Sequence, residues 1–287
     1  MELSVLIAAR DAASTIEETL ASLADQQWSG EWEVIVCDNG SIDETLSVVE
    51  RWRGRLPELR VVQSTEHDGC GHARNVAFAA SRGNKIAMID ADDIAAPGWL
   101  DALARALDEH DVVAGRFEYE KLNDPVALRS RACPQQAGLQ FDNNPPYLPH
   151  SMAGNMGMRR HVFEEVGGFD VTFKNVSDTD LSWRLQQAGY EIFFTPEPVV
   201  HLRLRADLRD MYQQARRYAL ANVYLYHVHR PRGMPKRNWV LGLLGWVRLP
   251  ILLVTVRNRA TLAAWLWQLG WRVGRLRGSV KYRRLAF

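Results

Sequence analysis

The chain has 287 residues, 47% of them hydrophobic and 24% charged, a composition that fits a globular protein and excludes a disordered or fibrous one. Its length admits one large domain or two smaller ones. The net charge of +1 conceals a split: residues 1–210 hold 20 basic and all 34 acidic residues, whereas residues 211–287 hold 15 basic residues and no acidic one. An acidic body can host cations, and a basic region seeks an anionic partner. Cys37, Cys70 and Cys133 form no Cys-x-x-Cys pair, so neither a disulfide framework nor a zinc site is indicated and a reducing compartment fits. The chain enters "LSVLIAA" with no basic stretch or signal-type apolar segment before it, which places the body in the cytosol as an expectation.

Residues 3–9 are a short apolar run and read as a buried strand. "STIE" (14–17) has capping-box spacing, so a helix begins at Ser14 with Ile16, Leu20, Leu23 and Ala24 on its apolar face. "EVIVC" (33–37) is a second strand. "SIDE" (41–44) repeats the capping-box spacing and opens a helix with Leu46, Val49 and Trp52 on one face. A third strand at "LRVVQ" (59–63), an alanine-rich helix over 72–81 and a fourth strand at "KIAMI" (85–89) follow. Pro97 suits a first helical turn and opens "PGWLDALARALDEH"; "DVVAGRFEYE" (111–120) is a fifth strand. Residues 121–150, with five prolines and no periodicity, read as an irregular loop over a cleft. "SMAGNMGMRRHVFEEVGGFD" (151–170) has a glycine-rich start, a short helix and a Gly-Gly turn; 177–190 is a helix, 191–195 a strand and 198–205 another.

Strands alternating with helices imply a mostly parallel α/β sheet flanked by helices, whose ligands sit beyond the carboxyl ends of the strands. Arg10 and Asp11 follow the first strand, Asp38 and Asn39 the second, and Asp90, Asp92 and Asp93 the fourth. Residues distant in sequence thus converge on one cleft.

From residue 211 the character changes. Residues 210–228 form an aromatic and basic helix. "NWVLGLLGWVRLPILLVTV" (238–256) is strongly apolar but broken by Arg248 and Pro250. A spanning helix needs about 20 apolar residues, and a central Arg costs about 2.5–3.5 kcal/mol. "TLAAWLWQLGWRV" (261–273) is too short to span. Five of the ten tryptophans lie here among Arg and Lys, the composition of segments lying in a membrane interface. The alternative is a helical subdomain that packs the tryptophans inside. The absence of acidic neighbours favours an anionic membrane surface over nucleic acid as the partner.

"AMIDADD" (87–93) places three carboxylates within four positions. Like charges this close repel unless a cation intervenes. An Asp-x-Asp pair after a strand can hold Mg²⁺ or Mn²⁺ through carboxylate oxygens, a ligand's phosphates completing the shell; a solvated turn is the bland alternative. Asp38 can accept from the N–H of a nucleobase, or form a turn before Asn-Gly.

"SVLIAARDAASTIEETLASL", "EVIVCDNGSIDET", "GHARNVAFAAS", "MIDADD", "AGNMGMRRHVFEEVGGFD" and "SDTDLSWRLQQAGY" occur in the order seen in family 2 glycosyltransferases. The resemblance covers roughly residues 3–205. It implies a GT-A fold and an inverting, metal-dependent transferase of the hexosyltransferase type. A nucleotide-diphosphate sugar, UDP-type foremost, is the donor, and a glycan or lipid-linked acceptor of the cell envelope receives the sugar. By the same resemblance Asp38 contacts the nucleoside, Ala8 and Ala9 line the base pocket, and Arg10, Arg74, Asp90, Asp92 and Asn155 complete the nucleotide-sugar site. Asp92, Asp93 and His201 hold Mg²⁺ or Mn²⁺, and Asp178 is the catalytic base. Asp178 can instead cap its helix, His201 can be a strand-end surface residue, and Asp180 is assigned a structural role.

The sequence departs from the family pattern in three places: "AARD" replaces Pro-x-Tyr-Asn after the first strand, Ser177 replaces the Glu before Asp178, and Asn39 replaces a second Asp. The first departure loosens any base assignment. The expected division is a transferase domain over 1–205, with a nucleotide-sugar half over about 1–120 and an acceptor half over about 121–205. Residues 206–287 form a helical, basic, Trp-rich extension that peripherally binds the inner face of the plasma membrane. Two other readings are a sugar-1-phosphate nucleotidyltransferase, disfavoured because "AARDAAS" lacks the glycine-rich triphosphate loop, and a non-catalytic membrane-surface binding protein on the same scaffold.

Overall fold

The computed structural model describes residues 1–141 and 146–284. These divide into two compact units. The first comprises Met1–Glu118, Pro134–Gln140 and Pro149–Leu202, and the second Tyr119–Cys133, Phe141–Leu148 and Arg203–Phe287.

The first unit is an eight-stranded sheet with flanking helices. Its strands are β1 (Leu3–Ala9), β2 (Trp32–Asp38), β3 (Arg60–Gln63), β4 (Lys85–Asp90), β5 (Ile94–Ala95), β6 (Val112–Glu118), β7 (Met156–Arg159) and β8 (Ile192–His201). They lie in the order β3-β2-β1-β4-β7-β6-β8-β5. The first four are parallel, and the sheet then turns antiparallel through β7, which pairs with both β4 and β6. The near-continuous apolar runs of β1 and β2 follow from that placement, because a parallel strand covered on both faces has no solvent side. The apparent strand pair after 191 is one continuous strand, β8. The sequence signal missed β7, four residues with a glycine inside; Gly157 faces Leu107, where an added Cβ would lie 3.0 Å from Cδ1.

One face of the sheet packs Leu6, Ile35 and Met88 against Ala73 and Ala77 of α3 (Cys70–Ala80), and against Phe163, Phe169 and Leu181 further along the chain. Both expected capping boxes are absent. α1 (Ile16–Ala24) has Thr15 at its cap with no side-chain bond, and the Thr15 hydroxyl donates instead to the Ala91 carbonyl at 3.1 Å. At α2 (Thr45–Glu50), Asp43 accepts from the Thr45 and Ala13 amides. The expected cap Ser41 accepts instead from the Asp11 amide at 3.0 Å, so these side chains tie loops together across the sheet end.

Glu33 sits at zero exposure in β2, where alternation gives no hint of a charge. It accepts from the Ser4 hydroxyl at 2.7 Å and the Arg82 amide at 2.6 Å, and pairs with Arg60 and Arg82. Burial alone raises its pKa, but these bonds outweigh burial and hold it below the usual carboxylate range.

The second unit is helical. α5 (Pro125–Ser130) lies within the expected loop, after α4 (Trp99–Glu109) of the first unit. The Asp124 side chain accepts from the Ala127 amide at 2.7 Å, and proline occupies the first turn. Part of that loop, residues 142–145, lies outside the described residues. Beyond α6 (Arg160–Glu165) and α7 (Ser177–Gln187), which belong to the first unit, come α8 (Leu208–His229), α9 (Trp239–Leu253) and α10 (Arg259–Tyr282). Gly270, Gly274 and Gly278 let α10 approach α8 closely: a Cβ at Gly274 would lie 2.2 Å from the Arg216 carbonyl oxygen. A capping box does occur here, between Asn258 and Thr261. No described helix is long and apolar enough to cross a membrane.

Candidate active site

The register of the parallel strands builds the floor of the site. β1 lies between β2 and β4, with Ala9 opposite Asp38 and Ala8 opposite Asp90. β1 therefore sets Asp38 and Asp90 on the strands either side of it, each beside an alanine, at the carboxyl end of the parallel strands. Asp38 is buried, and both its oxygens accept from the Ser41 amide only at 3.3 Å. Its neighbour Asn39 organises the next loop: its amide donates to the His67 carbonyl at 2.9 Å and also to that of Ser64, while its oxygen accepts from the Gly69 amide at 2.9 Å. An aspartate at 39 has no N–H for those two carbonyls, so the departure from the family pattern has a local physical reason. Arg10 leaves the end of β1 and donates to Asp68 at 2.8 Å; Lys174 lies 3.7 Å from the same carboxylate.

Asp90, Asp92 and Asp93 bring one carboxylate oxygen each within 4.8 Å of one another. The Arg74 guanidinium pairs with Asp90, and Arg74 is buried while the Asp90 side chain is 41% exposed. Burial opposes the arginine's charge, but Asp90, Cys70 and Asp178 together overcome this and hold its pKa above the ordinary value. Its Nε is buried with no hydrogen-bond partner among the described residues. Gly154 backs onto the cluster: a Cβ there would lie 2.8 Å from Asp90 Oδ2 and 3.6 Å from Asp93 Oδ2. Three hard oxygen donors beside a residue that leaves space for them fit a divalent cation of the Mg²⁺ or Mn²⁺ type. His201 is not one of the three. It pairs in register with Ile94, the residue after Asp93, and its Nδ1 lies 2.6 Å from Glu118 Oε2.

Asp178 lies in the first turn of α7 and accepts from the Thr179 amide at 2.9 Å. It does not cap the helix; the cap is Val176, held at φ +56°. A β-branched residue in that region is strained, and the strain sits two residues before the candidate base. Burial pushes the Asp178 carboxyl up from the usual aspartate value, while the nearby Arg74 charge pulls it down. One arginine thus acts on both the acidic cluster and the candidate base. Asp180 is fully buried and accepts from Arg184 Nε at 2.8 Å, while Arg184 also donates to the Val166 and Gly168 carbonyls. It anchors α7 to the Gly-Gly turn.

Asn155 is placed differently from a ligand-facing residue. It has no exposed surface; its oxygen accepts from Trp99 Nε1 at 2.8 Å, and its amide donates to the Arg116 and Pro198 carbonyls at 2.9 Å. Its polar ends are committed to holding α4, β6 and β8. Gly154 was missed by sequence reasoning, although "AGN" between apolar runs flags a close approach.

The sequence pattern of the family described as Glycosyl transferase family 2 matches residues 4–167, more than half the chain. The protein belongs to that family, and its first unit has the GT-A fold. It is similar to the pre-mycofactocin glycosyltransferase of Mycobacterium tuberculosis, with 28% identity over 87% of this chain and 53% of the relative; the chain spans about half the length of that relative. A shorter match, 38% identical over 38% of this chain and 19% of the relative, is to the poly(ribitol-phosphate) beta-N-acetylglucosaminyltransferase TarS of Staphylococcus aureus. Among solved structures, S. aureus TarS 1–349 in complex with UDP-GlcNAc aligns with a TM-score of 0.61 at 19% identity, over 99% of this chain and 93% of that one. Mannosyltransferase PcManGT from Pyrobaculum calidifontis, in complex with GDP-Man and Mn²⁺, aligns with a TM-score of 0.66 at 19% identity, over 96% of this chain and 87% of that one. These structural likenesses carry the fold.

Proposed function

We propose that the protein is an inverting glycosyltransferase that moves a sugar from a nucleotide-diphosphate donor to an acceptor hydroxyl. The observation that carries this reading is the grouping of Asp90, Asp92 and Asp93 at the carboxyl end of the parallel strand β4 with Arg74 of α3, and with the burial-raised Asp178 of α7 within electrostatic reach. Asp38 accepts from a base N–H, UDP-type foremost, and Ala8 and Ala9 leave room for the base. Arg10 and the Arg74 guanidinium lie on the diphosphate side. Asp92 and Asp93, with Asp90 in support, would hold Mg²⁺ or Mn²⁺, which would supply positive charge to offset that of the departing diphosphate. His201 shares that side of the site.

Asp178 takes the proton from the acceptor hydroxyl. That oxygen forms a bond to the anomeric carbon while the carbon–oxygen bond to the diphosphate breaks, and one displacement inverts the configuration. A carboxyl raised above the ordinary aspartate range is a better proton acceptor, provided it remains ionised at the working pH. Residues 1–205 carry this chemistry. Residues 206–287 attach the protein to the inner face of an anionic membrane, where a lipid-linked or envelope glycan is the acceptor; the support is a run of cations without one acidic residue beyond 210.

The test is a panel of nucleotide sugars with Mg²⁺ or Mn²⁺, following nucleoside diphosphate release and product anomer by NMR. Asp92→Asn and Asp178→Asn are the controls. Full transfer by both variants refutes the mechanism, and a product that retains the donor configuration refutes inversion.

A further inference from the structure

The helices of the second unit use their apolar residues unequally. In α10, the Trp265 indole donates to the Leu249 carbonyl at 2.9 Å, and Arg131 lies over the Trp267 ring at 5.1 Å. Those tryptophans work inside the unit. α9 does the reverse. Only Gly242, Gly245 and Leu249 of its residues are buried, whereas Val240, Leu244, Val247, Ile251 and the capping Val254 are 45% to 77% exposed. Their spacing of four, three, four and three residues lines one outward stripe of a helix. Trp239 stands at its start, 52% exposed.

Arg248 flanks the stripe, and Arg272 of α10 lies against α9 where Gly245 has no side chain: a Cβ there would meet Arg272 Cζ at 2.3 Å. The Arg272 Nε is buried with no hydrogen-bond partner among the described residues. Burial and then the like charge of Arg248 push the Arg272 pKa below the ordinary guanidinium value. Two cations that disfavour each other, with no acidic residue in 211–287 to offset them, favour anionic oxygen beside them.

We infer that α9 is an in-plane membrane anchor, its Val240–Val254 stripe sunk among acyl chains and Arg248 with Arg272 gripping a lipid phosphate at the rim. This rests on the membrane-surface reading above and assigns it to one element. No described helix is long and apolar enough to cross, but an interfacial helix buries only one face. The charge disfavours a second α9 face as the occupant. Lys236, Arg248, Arg257 and Arg259 are exposed cations within or a few residues from α9, with no acidic residue in 211–287, so face-to-face copies of this helix repel where anionic headgroups attract.

The experiment is sedimentation of the full chain with phosphatidylglycerol–phosphatidylcholine vesicles and with phosphatidylcholine alone. Leu244→Glu/Val247→Glu/Ile251→Glu is expected to lower partitioning into both by more than about 100-fold, since three apolar side chains lose their burial. Nucleoside diphosphate release from the donor is expected to stay at the wild-type rate, which shows that the variant folds. Arg248→Gln/Arg272→Gln is expected to cost about tenfold or more on the anionic vesicles and little on the neutral ones. Bromolipid quenching of tryptophan fluorescence is expected to weaken in Trp239→Phe. If the triple Glu variant still sediments while salt removes it, the membrane reading stands and the α9 anchor is wrong. No wild-type binding to either vesicle overturns both, as does a lipid-free dimer that the Glu variant dissociates.

Discussion

The acidic site of the first unit and the basic helices of the second handle charge in opposite ways. In the first unit charges that burial would penalise have assigned partners: the buried Arg74 has Asp90, the buried Asp180 has Arg184, and the buried Glu33 has Ser4, Arg60 and Arg82. In the second, Arg248 and Arg272 stand near each other, and the chain offers no acidic residue beyond 210. An internally compensated charge shapes a site for chemistry. A charge left uncompensated directs a surface toward something outside the chain.

The largest effect that tests this contrast is at Asp178. Asp178→Asn is expected to lower the transfer rate by about 10²- to 10⁴-fold while raising the melting temperature at neutral pH. The sign follows from its raised pKa: the folded state favours the protonated form, so stability present below the unfolded pKa is lost as pH rises through the folded one. The wild-type rate is expected to climb over that same range as the base ionises. Loss of activity with loss of stability indicates a structural Asp178 instead.

Next in size is the Arg74 pair. Asp90→Ala leaves a buried guanidinium without its partner and is expected to cost about 3 kcal/mol or more by denaturant unfolding. Arg74→Ala leaves only a half-exposed carboxylate and is expected to cost less. Equal costs remove the asymmetry on which this account depends.

Trp99→Phe strands the buried Asn155 oxygen and is expected to cost about 1–3 kcal/mol with donor affinity unchanged. A large affinity loss at intact stability returns Asn155 to the ligand side. Arg272→Met is the counterpart in the second unit. Removing an uncompensated, half-buried cation is expected to leave stability equal or up to about 1 kcal/mol higher, the opposite of the Asp90→Ala result.

The smallest effect concerns Glu33, whose depressed pKa contributes stability above the unfolded carboxylate value that is lost as pH falls through the folded one. Glu33→Gln is expected to flatten the acid limb of a Tm-against-pH curve. An unchanged limb means that other carboxylates govern acid unfolding.

Periodicity and composition were enough for the parallel half of the sheet and for its strand-end carboxylates, because buried parallel strands must be apolar and ligands gather where those strands end. The same signals located Asp38, Asp90, Asp92, Asp93 and the charge split after residue 210. The capping boxes failed because α1 has Thr15, one residue past Ser14, at its cap, and Ser41 accepts from the Asp11 amide 30 positions away, a partner about which a short-range pattern carries no information. β7 was lost to its brevity. Asn155 looked like a ligand residue, yet Trp99, Arg116 and Pro198 consume its hydrogen bonds.

The sequence by itself determined which residues carry charge, which stretches must be buried, and the order of motifs that marks the family. Only the tertiary structure decided which charges meet. It set Arg74 against Asp90 and within electrostatic reach of Asp178. It put the side-chain-free face of Gly154 behind the carboxylates, and it turned the apolar stripe of α9 outward while α10 turned its tryptophans in. The reason is physical. Burial and apolarity are properties of a stretch of chain, whereas hydrogen bonds and ion pairs act over a few ångströms between residues that only the folded backbone brings together.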